Sequence, residues 1–171
     1  VRRVIHGQMS DYLFDKAKVG DLLRINGPRG TFILRYSTDN DIVFLATGTG
    51  IAPVKAMLER IDKIPEELKP KSVKVFWGMR SQEELYWDPQ NLLGDLNFIP
   101  VLSRADEIWT GARGYVQDIM MKKHTKFENV QIYACGSEAM IRSSQAKAVA
   151  NGLNIKSFFS DAFVVSGKEG D

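Results

Sequence analysis

Residues 44–58, FLATGTGIAPVKAML, decide the fold of this chain. Apolar residues typical of a buried strand run directly into a turn of small residues at 47–50, and the apolar spacing after that turn is helical. Such a turn lets a ligand approach the backbone, and the free N–H groups of a helix's first turn attract an anion such as pyrophosphate. The stretch predicts either a phosphate-binding loop or a plain strand-to-helix turn. Its candidate binding residues are Thr47, Gly48, Thr49, Gly50 and Pro53.

The composition is that of an ordinary globular protein and argues against several classes of function. The 171 residues carry a formal net charge of +2, which is too small for the basic footprint of a nucleic-acid-binding protein. No apolar run approaches the roughly 18 residues of a membrane span, and the first residues lack the apolar core of a signal peptide. The single cysteine, Cys135, excludes an internal disulfide and a four-cysteine iron–sulfur or zinc site, so we expect no metal in this chain and a cytoplasmic location.

Strand-like and helix-like segments alternate from residue 42 onward. Three segments, 53–63, 114–123 and 138–151, place apolar residues at helical spacing. The alternation predicts an α/β fold with a doubly wound, five-stranded parallel sheet. Ligands of such sheets bind outside the carboxyl ends of the strands, so the residues that follow each strand become candidates. The predicted strands are 42–47, 73–77, 98–102, 130–135 and 155–159.

The first 38 residues have a different character. Segments 1–5, 18–26 and 27–36 are typical of strands, and Ser10 is placed to cap one short helix between them. The polar run 37–41 then marks a boundary. We therefore predict two domains, residues 1–38 and residues 39–171.

Charged and polar candidates follow the second and third predicted strands. An arginine fork at Arg80 could hold a phosphate, and a solvated charge is the alternative. Ser103 and Arg104 come directly after the third strand, where an arginine can accommodate the 2′-phosphate of NADPH. This pair permits NADPH without excluding NADH.

Two further candidates lie toward the C-terminal end of the chain. Cys135 and Gly136 end the fourth predicted strand, so the thiol is either a packed core group or a neighbour of a nicotinamide ring. Neither histidine has a motif that would link it to the thiol as a nucleophile. Phe163 is either a core residue or a planar cover for a flat cofactor ring.

The order of these motifs resembles that of the ferredoxin–NADP reductase family. TGTGIAP, WGMRSQEELY, SR with WTGARGYV, YACGSEAM and SDAF follow one another within residues 42–165. The resemblance is greatest to bacterial flavin reductases and CDP-6-deoxy-glucoseen reductases, although Ser137 stands where the family's C-G-P motif has proline. Residues 1–35 resemble the end of a flavin-binding barrel, which implies a partial antiparallel β-barrel before the NAD(P)-binding lobe.

The resemblance implies a role for each candidate around NADH or NADPH. The turn 47–50 with Pro53 would contact the nicotinamide end and the pyrophosphate. Because Pro53 replaces the third glycine of the G-x-G-x-x-G fingerprint, this loop is of the kind that guides a nicotinamide to a flavin. The adenosine part of the dinucleotide would be contacted by Arg80, Ser103 and Arg104.

Other candidates are implied to lie near the flavin and the nicotinamide ring. Cys135 and Phe163 would act in catalysis by positioning the nicotinamide and covering the flavin face. Gly136 and Met140, which follow Cys135 in the sequence, would also contact the cofactor. The FAD pyrophosphate would meet the turn that contains Gly7, Met9 and Ser10.

The implied function is that of a flavoprotein oxidoreductase. It would pass a hydride from NAD(P)H to FAD and then electrons to an iron–sulfur or other acceptor protein. The earlier barrel strands, with the flavin motif R-x-[YF]-[ST], and any [2Fe–2S] domain would precede Val1, so we expect the chain alone to be inactive. Two alternatives stay open, namely a reductase of free flavin and a non-catalytic nucleotide-sensing module.

Overall fold

The computed structural model describes Arg3 and residues 7–27, 29–35, 38–90, 92–94, 96–124 and 126–163. The chain forms two compact units, residues 1–31 and residues 32–171. No helix in the described ranges combines the length and the apolar character that crossing a membrane requires.

The first unit is built around one helical segment. Helix α1, Gln8–Asp11, continues without a break into the π-helical residues Tyr12–Lys16. The cap position belongs to Gly7, so the prediction that Ser10 caps this helix is wrong. Ser10 lies inside the first turn instead, where its hydroxyl donates a hydrogen bond to the Gly7 carbonyl at 3.0 Å.

Two of the strands predicted for the first 38 residues are not found. Residues 18–27 and 29–35 join no sheet. A strand needs a neighbour that pairs with its backbone N–H and C=O groups, and the described part of the chain supplies none here. The predicted strand 1–5 lies outside the described residues, apart from Arg3.

The second unit is built on a parallel sheet. Its strands are β1 (Asp41–Thr47), β2 (Ser72–Met79), β3 (Leu96–Leu102), β4 (Ala112–Arg113), β5 (Val130–Gly136) and β6 (Phe158–Ala162). Among the described residues the sheet has these six strands in the order β4-β3-β2-β1-β5-β6, and every neighbouring pair is parallel. This arrangement confirms the predicted α/β class and corrects the strand number from five to six.

Helices cover both faces of this sheet. Helix α2, Ile51–Asp62, packs on one face, while α3, Val116–Lys123, and α4, Glu138–Ala150, pack on the other. Residues 42–46 of β1 are fully buried because their side chains alternate between the two covered faces. Burial on both faces explains why this strand is a continuous apolar run in the sequence.

The extra strand and a shifted last strand mark the two edges of the sheet. β4 lies between β3 and α3, where no strand is predicted, and it forms by pairing with the end of β3. At the other edge the Asn154 side chain accepts a hydrogen bond from the Lys156 N–H at 3.0 Å and starts a short 3-10 turn, Ile155–Ser157. The last strand therefore begins at Phe158 rather than at residue 155.

The direction in which strands are added reverses beside β1. The chain proceeds outward from β1 through β2 and β3 to β4 and then returns, so that β5 pairs with the free side of β1. Ligands of open α/β sheets bind at the carboxyl ends of the strands at this switch point. The ends that meet here are Thr47 and Gly136, with Ala46 opposite Cys135 in the register.

Candidate functional site

Two glycines bring the loops after β1 and β5 into direct backbone contact. Gly50 is buried so close to the neighbouring peptide that a Cβ atom on it would collide with the Cys135 carbonyl oxygen. Gly136 has a φ of +136°, which L side chains rarely adopt, and a Cβ atom there would collide with the Thr47 hydroxyl. The ends of β1 and β5 therefore pack directly on each other at the switch point, where a doubly wound sheet binds its ligand.

Two hydrogen bonds hold the turn after β1 between its neighbours. On one side the Ser137 N–H donates to the Thr47 hydroxyl oxygen at 3.0 Å. On the other side the indole N–H of Trp77, a fully buried residue of β2, donates to the Gly48 carbonyl at 2.9 Å. The turn is thereby anchored to both β5 and β2, directly before α2 begins at Ile51.

The Cys135 thiol is buried rather than presented to solvent. Burial, with a smaller contribution from the Asp161 charge, raises the pKa of Cys135 to about 12. The thiol therefore stays protonated in the physiological range, and a thiolate nucleophile at this position has no support. The role of Cys135 beside the nicotinamide stays a prediction.

Phe163 and Met140 lie in different environments. Phe163 is 44% exposed, and its backbone N–H donates to the Gly136 carbonyl at 2.9 Å, so the residue is tied to the end of β5. Met140 is buried in the core on the face covered by α3 and α4. Its backbone N–H donates to the Ser137 hydroxyl at 3.4 Å as part of the α4 cap. The structure thus brings Phe163, and not the Met140 side chain, to the edge of the sheet.

The ends of β2 and β3 bring three predicted residues together. The Ser103 N–H donates to the Met79 carbonyl at 3.0 Å, and the Arg104 N–H donates to the Arg80 carbonyl at 2.8 Å. Arg80, Ser103 and Arg104 are all exposed. Two guanidinium groups and one hydroxyl start from neighbouring strand ends, and such a set suits a phosphate anion.

Arg113 supports the loop that carries Arg104. Its guanidinium donates to the carbonyls of Ala105 at 3.2 Å, Glu107 at 3.4 Å and Trp109 at 2.6 Å. The sequence reasoning missed this role, as it missed that of Trp77. The available signals were an arginine between two glycines and a tryptophan directly before the glycine near the end of a strand.

The predicted flavin-binding turn belongs to the first unit. Gly7 is the cap residue of α1, Met9 is 64% exposed, and Ser10 is buried. Their contact with the FAD pyrophosphate stays a prediction.

The fold defines the class of protein. In a doubly wound sheet the loops that leave the switch point border a crevice outside the strand ends. Here those loops carry a turn of small residues and the start of a helix, which is the arrangement of a dinucleotide-binding lobe. Among known protein families, residues 44–146 match the oxidoreductase NAD-binding domain and residues 1–34 match the oxidoreductase FAD-binding domain. The chain belongs to the ferredoxin reductase-like, FAD- and NAD-binding oxidoreductases, which confirms the resemblance drawn from its motifs.

Individual relatives agree with this family. The CDP-6-deoxy-L-threo-D-glycero-4-hexulose-3-dehydrase reductase of Yersinia pestis is 40% identical over 97% of this chain and 50% of that protein. The anthranilate 1,2-dioxygenase electron transfer component of Acinetobacter baylyi is 28% identical over 84% of this chain and 42% of that protein. A ferredoxin NADP+ reductase from Neisseria gonorrhoeae, solved with bound FAD and NADP, superimposes with a TM-score of 0.71 at 25% identity and covers 92% of this chain and 70% of that one. The chain spans about half the length of the curated relatives it matches.

Proposed function

We propose that the protein containing this chain is a flavoprotein reductase that takes a hydride from NAD(P)H and delivers electrons to an iron–sulfur or other acceptor protein. The observation that carries the proposal is the close packing of Gly50 on the Cys135 carbonyl and of Gly136 on Thr47 at the switch point. The matches to an NAD-binding and an FAD-binding oxidoreductase domain support it. The cytoplasmic location stays a prediction.

Different residues at the strand ends would contact different parts of the dinucleotide. The nicotinamide end would lie outside the ends of β1 and β5, against the turn 48–50 and Gly136, and the pyrophosphate would lie at the start of α2, beside Thr49 and Pro53. The adenosine would extend toward the ends of β2 and β3. There Arg104, which is exposed, would contact the 2′-phosphate when the dinucleotide is NADPH.

The contribution of this chain to the reaction is alignment. When bound, FAD supplies the hydride-accepting and one-electron chemistry that no side chain provides. Backbone on both sides of the crevice fixes the nicotinamide ring in position, and such positioning lowers the entropic part of the barrier. Hydride transfer needs no acid or base from the protein, which agrees with the protonated Cys135. Phe163, whose backbone N–H is bonded to the Gly136 carbonyl, would cover the face of the flavin ring.

Anaerobic reduction of bound FAD by NADPH and by NADH tests the proposal. The protein should be produced with whatever its gene encodes on either side of this chain. We expect the flavin absorbance to bleach with one equivalent of dinucleotide. Dinucleotide binding without bleaching would contradict the proposal and favour the nucleotide-sensing module. Reduction of added flavin by a protein that retains none after gel filtration would favour the free-flavin reductase.

A further inference from the structure

We infer that Thr47 is a positioning residue of this site, and that its hydrogen bond from the Ser137 N–H fixes the relative position of the two loops against which the nicotinamide lies. The inference rests on the proposed function, which puts the nicotinamide end against the two loops that the bond joins. The bond is 3.0 Å long and connects the last residue of β1 to the first residue after β5.

The surroundings of Thr47 fix the direction of its hydroxyl. A Cβ atom on Gly136 would collide with this hydroxyl, so Gly136 leaves the space that it occupies. The methyl group lies on the other side, since a Cβ atom on Gly78 of β2 would come within 3.2 Å of it. A β-branched side chain held at both branches has one rotamer. The hydroxyl therefore points to β5 and the methyl group to β2.

Ser137 supplies the donor that proline would lack. Its φ of −67° and ψ of 137° are angles that proline also adopts, so the backbone conformation does not explain the serine. The serine provides two things instead, namely the N–H that Thr47 accepts and the hydroxyl that caps α4 at Met140. Proline in this position would remove both groups, whereas alanine would remove only the hydroxyl, so the difference between the two variants isolates the N–H.

The contact between the turn after β1 and strand β2 does not depend on the Thr47–Ser137 bond. Trp77 holds the Gly48 carbonyl from β2 at 2.9 Å. Losing the Thr47–Ser137 bond would therefore loosen the crevice on its β5 side only. Arg80 and Arg104, at the ends of β2 and β3, would keep their places. We expect nicotinamide binding to weaken while adenosine binding is unchanged.

Four single variants separate these effects. Thr47→Val keeps the shape of the side chain but removes the acceptor, and Thr47→Ser restores a hydroxyl. Ser137→Pro removes the donor, whereas Ser137→Ala keeps the donor and removes only the helix cap. Calorimetry should measure the affinity of each protein for NADP+ and NAD+ and for the matching fragments that lack nicotinamide, 2′-phospho-ADP-ribose and ADP-ribose.

The loss of one hydrogen bond should weaken dinucleotide binding about fivefold in Thr47→Val and in Ser137→Pro. Fragment affinity should stay within about twofold, and Ser137→Ala should behave as the parent does. Thr47→Ser should recover most of the affinity that Thr47→Val loses. Because both disruptive substitutions remove the same bond, the double variant Thr47→Val/Ser137→Pro should be no weaker than either single variant.

Three results would overturn the inference: equal weakening for dinucleotide and fragment, no weakening in a variant whose circular dichroism shows it to be folded, or additive effects in the double variant. If Thr47→Val fails to fold, Ser137→Pro with its alanine control carries the test, and the reverse also holds. A parent protein that binds neither dinucleotide would overturn the proposed function itself, which is a separate outcome.

Discussion

The residues of the crevice are of two kinds, those that expose a functional group and those that contribute only backbone. Arg80, Ser103 and Arg104 are exposed at the ends of β2 and β3, whereas Gly50 and Gly136 offer no side chain. Recognition by charge is therefore concentrated on the proposed adenosine side, and the nicotinamide side depends on geometry. Substitutions on the two sides should have different kinetic signatures.

Arg104→Ala tests recognition by charge. If the guanidinium holds a 2′-phosphate, the KM for NADPH should rise about tenfold, which corresponds to roughly 1.4 kcal/mol, while the KM for NADH should change little. Steady-state kinetics with both dinucleotides measures this difference. Arg60→Ala is a matched control because Arg60 lies in the last turn of α2, at the other end of the sheet. An equal rise for NADPH and NADH would contradict the assignment.

The buried Cys135 predicts a chain without thiol reactivity in its native state. With a pKa of about 12 the thiol is not ionised at pH 8, and burial blocks access to it. A thiol-reactive chromogenic disulfide should therefore modify no cysteine in the native chain and one after denaturation in guanidinium. Rapid modification of the native protein, with loss of flavin reduction, would show that the thiol is accessible and functional.

At the scale of secondary structure, periodicity was sufficient for the strands β1, β2, β3 and β5 and for the three helices that cover the sheet. The predicted strand 42–47 and the observed β1 differ by one residue, because five of its consecutive side chains enter a core. β4 could not be predicted, since two residues have no periodicity and pair only with the end of β3. The strands predicted between residues 18 and 36 satisfy the apolar pattern, but the described residues provide no neighbour to pair with them.

Trp77→Phe tests the link between β2 and the turn after β1. The substitution keeps an aromatic ring in the core but removes the N–H that pairs with the Gly48 carbonyl. Leaving such a group without its partner should lower the free energy of unfolding by about 1–3 kcal/mol. Urea denaturation followed by circular dichroism measures the change.

Trp87→Phe is the control for that experiment. Trp87 follows β2 in the sequence, is only partly buried, and packs against the core that contains Trp77. Its replacement should cost clearly less stability than that of Trp77. Similar losses in both variants would mean that ring volume, and not the hydrogen bond to Gly48, determines the result for Trp77.

At the scale of the whole molecule, the site draws on segments that sequence spacing does not connect. The motifs identified Thr47, Arg104 and Gly136 because each follows an apolar strand. Trp77 and Arg113 were missed because their partners, the carbonyls of Gly48 and of the 105–109 loop, are backbone groups that carry no sequence signal. Supporting contacts of this kind become visible only once the tertiary structure is known.

The acid stability of the molecule should depend on His124, away from the crevice. This residue is 5% exposed, and its Nδ1 lies 3.2 Å from the Lys74 Nζ. Among the described residues its Nε2 has no hydrogen-bond partner. Burial, followed by the Lys74 charge, lowers the pKa of His124 below its usual 6.5, while the Asp41 charge opposes the shift.

Because the folded pKa is the lower one, the unfolded chain binds more protons as the pH falls below 6.5. The free energy of unfolding should therefore decrease there, with a slope of at most about 1.4 kcal/mol per pH unit for one proton. Urea titrations from pH 7.5 to pH 5 measure the slope. His124→Phe should reduce this slope. An unchanged slope in His124→Phe would exclude this residue as the cause.

The bond between Thr47 and Ser137 spans 90 positions of sequence. Both walls of the crevice thus exist only after β5 has been inserted beside β1, across a loop whose closure is entropically slow. During synthesis, a nascent chain that still holds Ser137 in the ribosomal exit tunnel cannot close this bond, however well β1 to β3 have already formed. The nicotinamide end of a dinucleotide would therefore meet both of its loops only after β5 has joined the sheet.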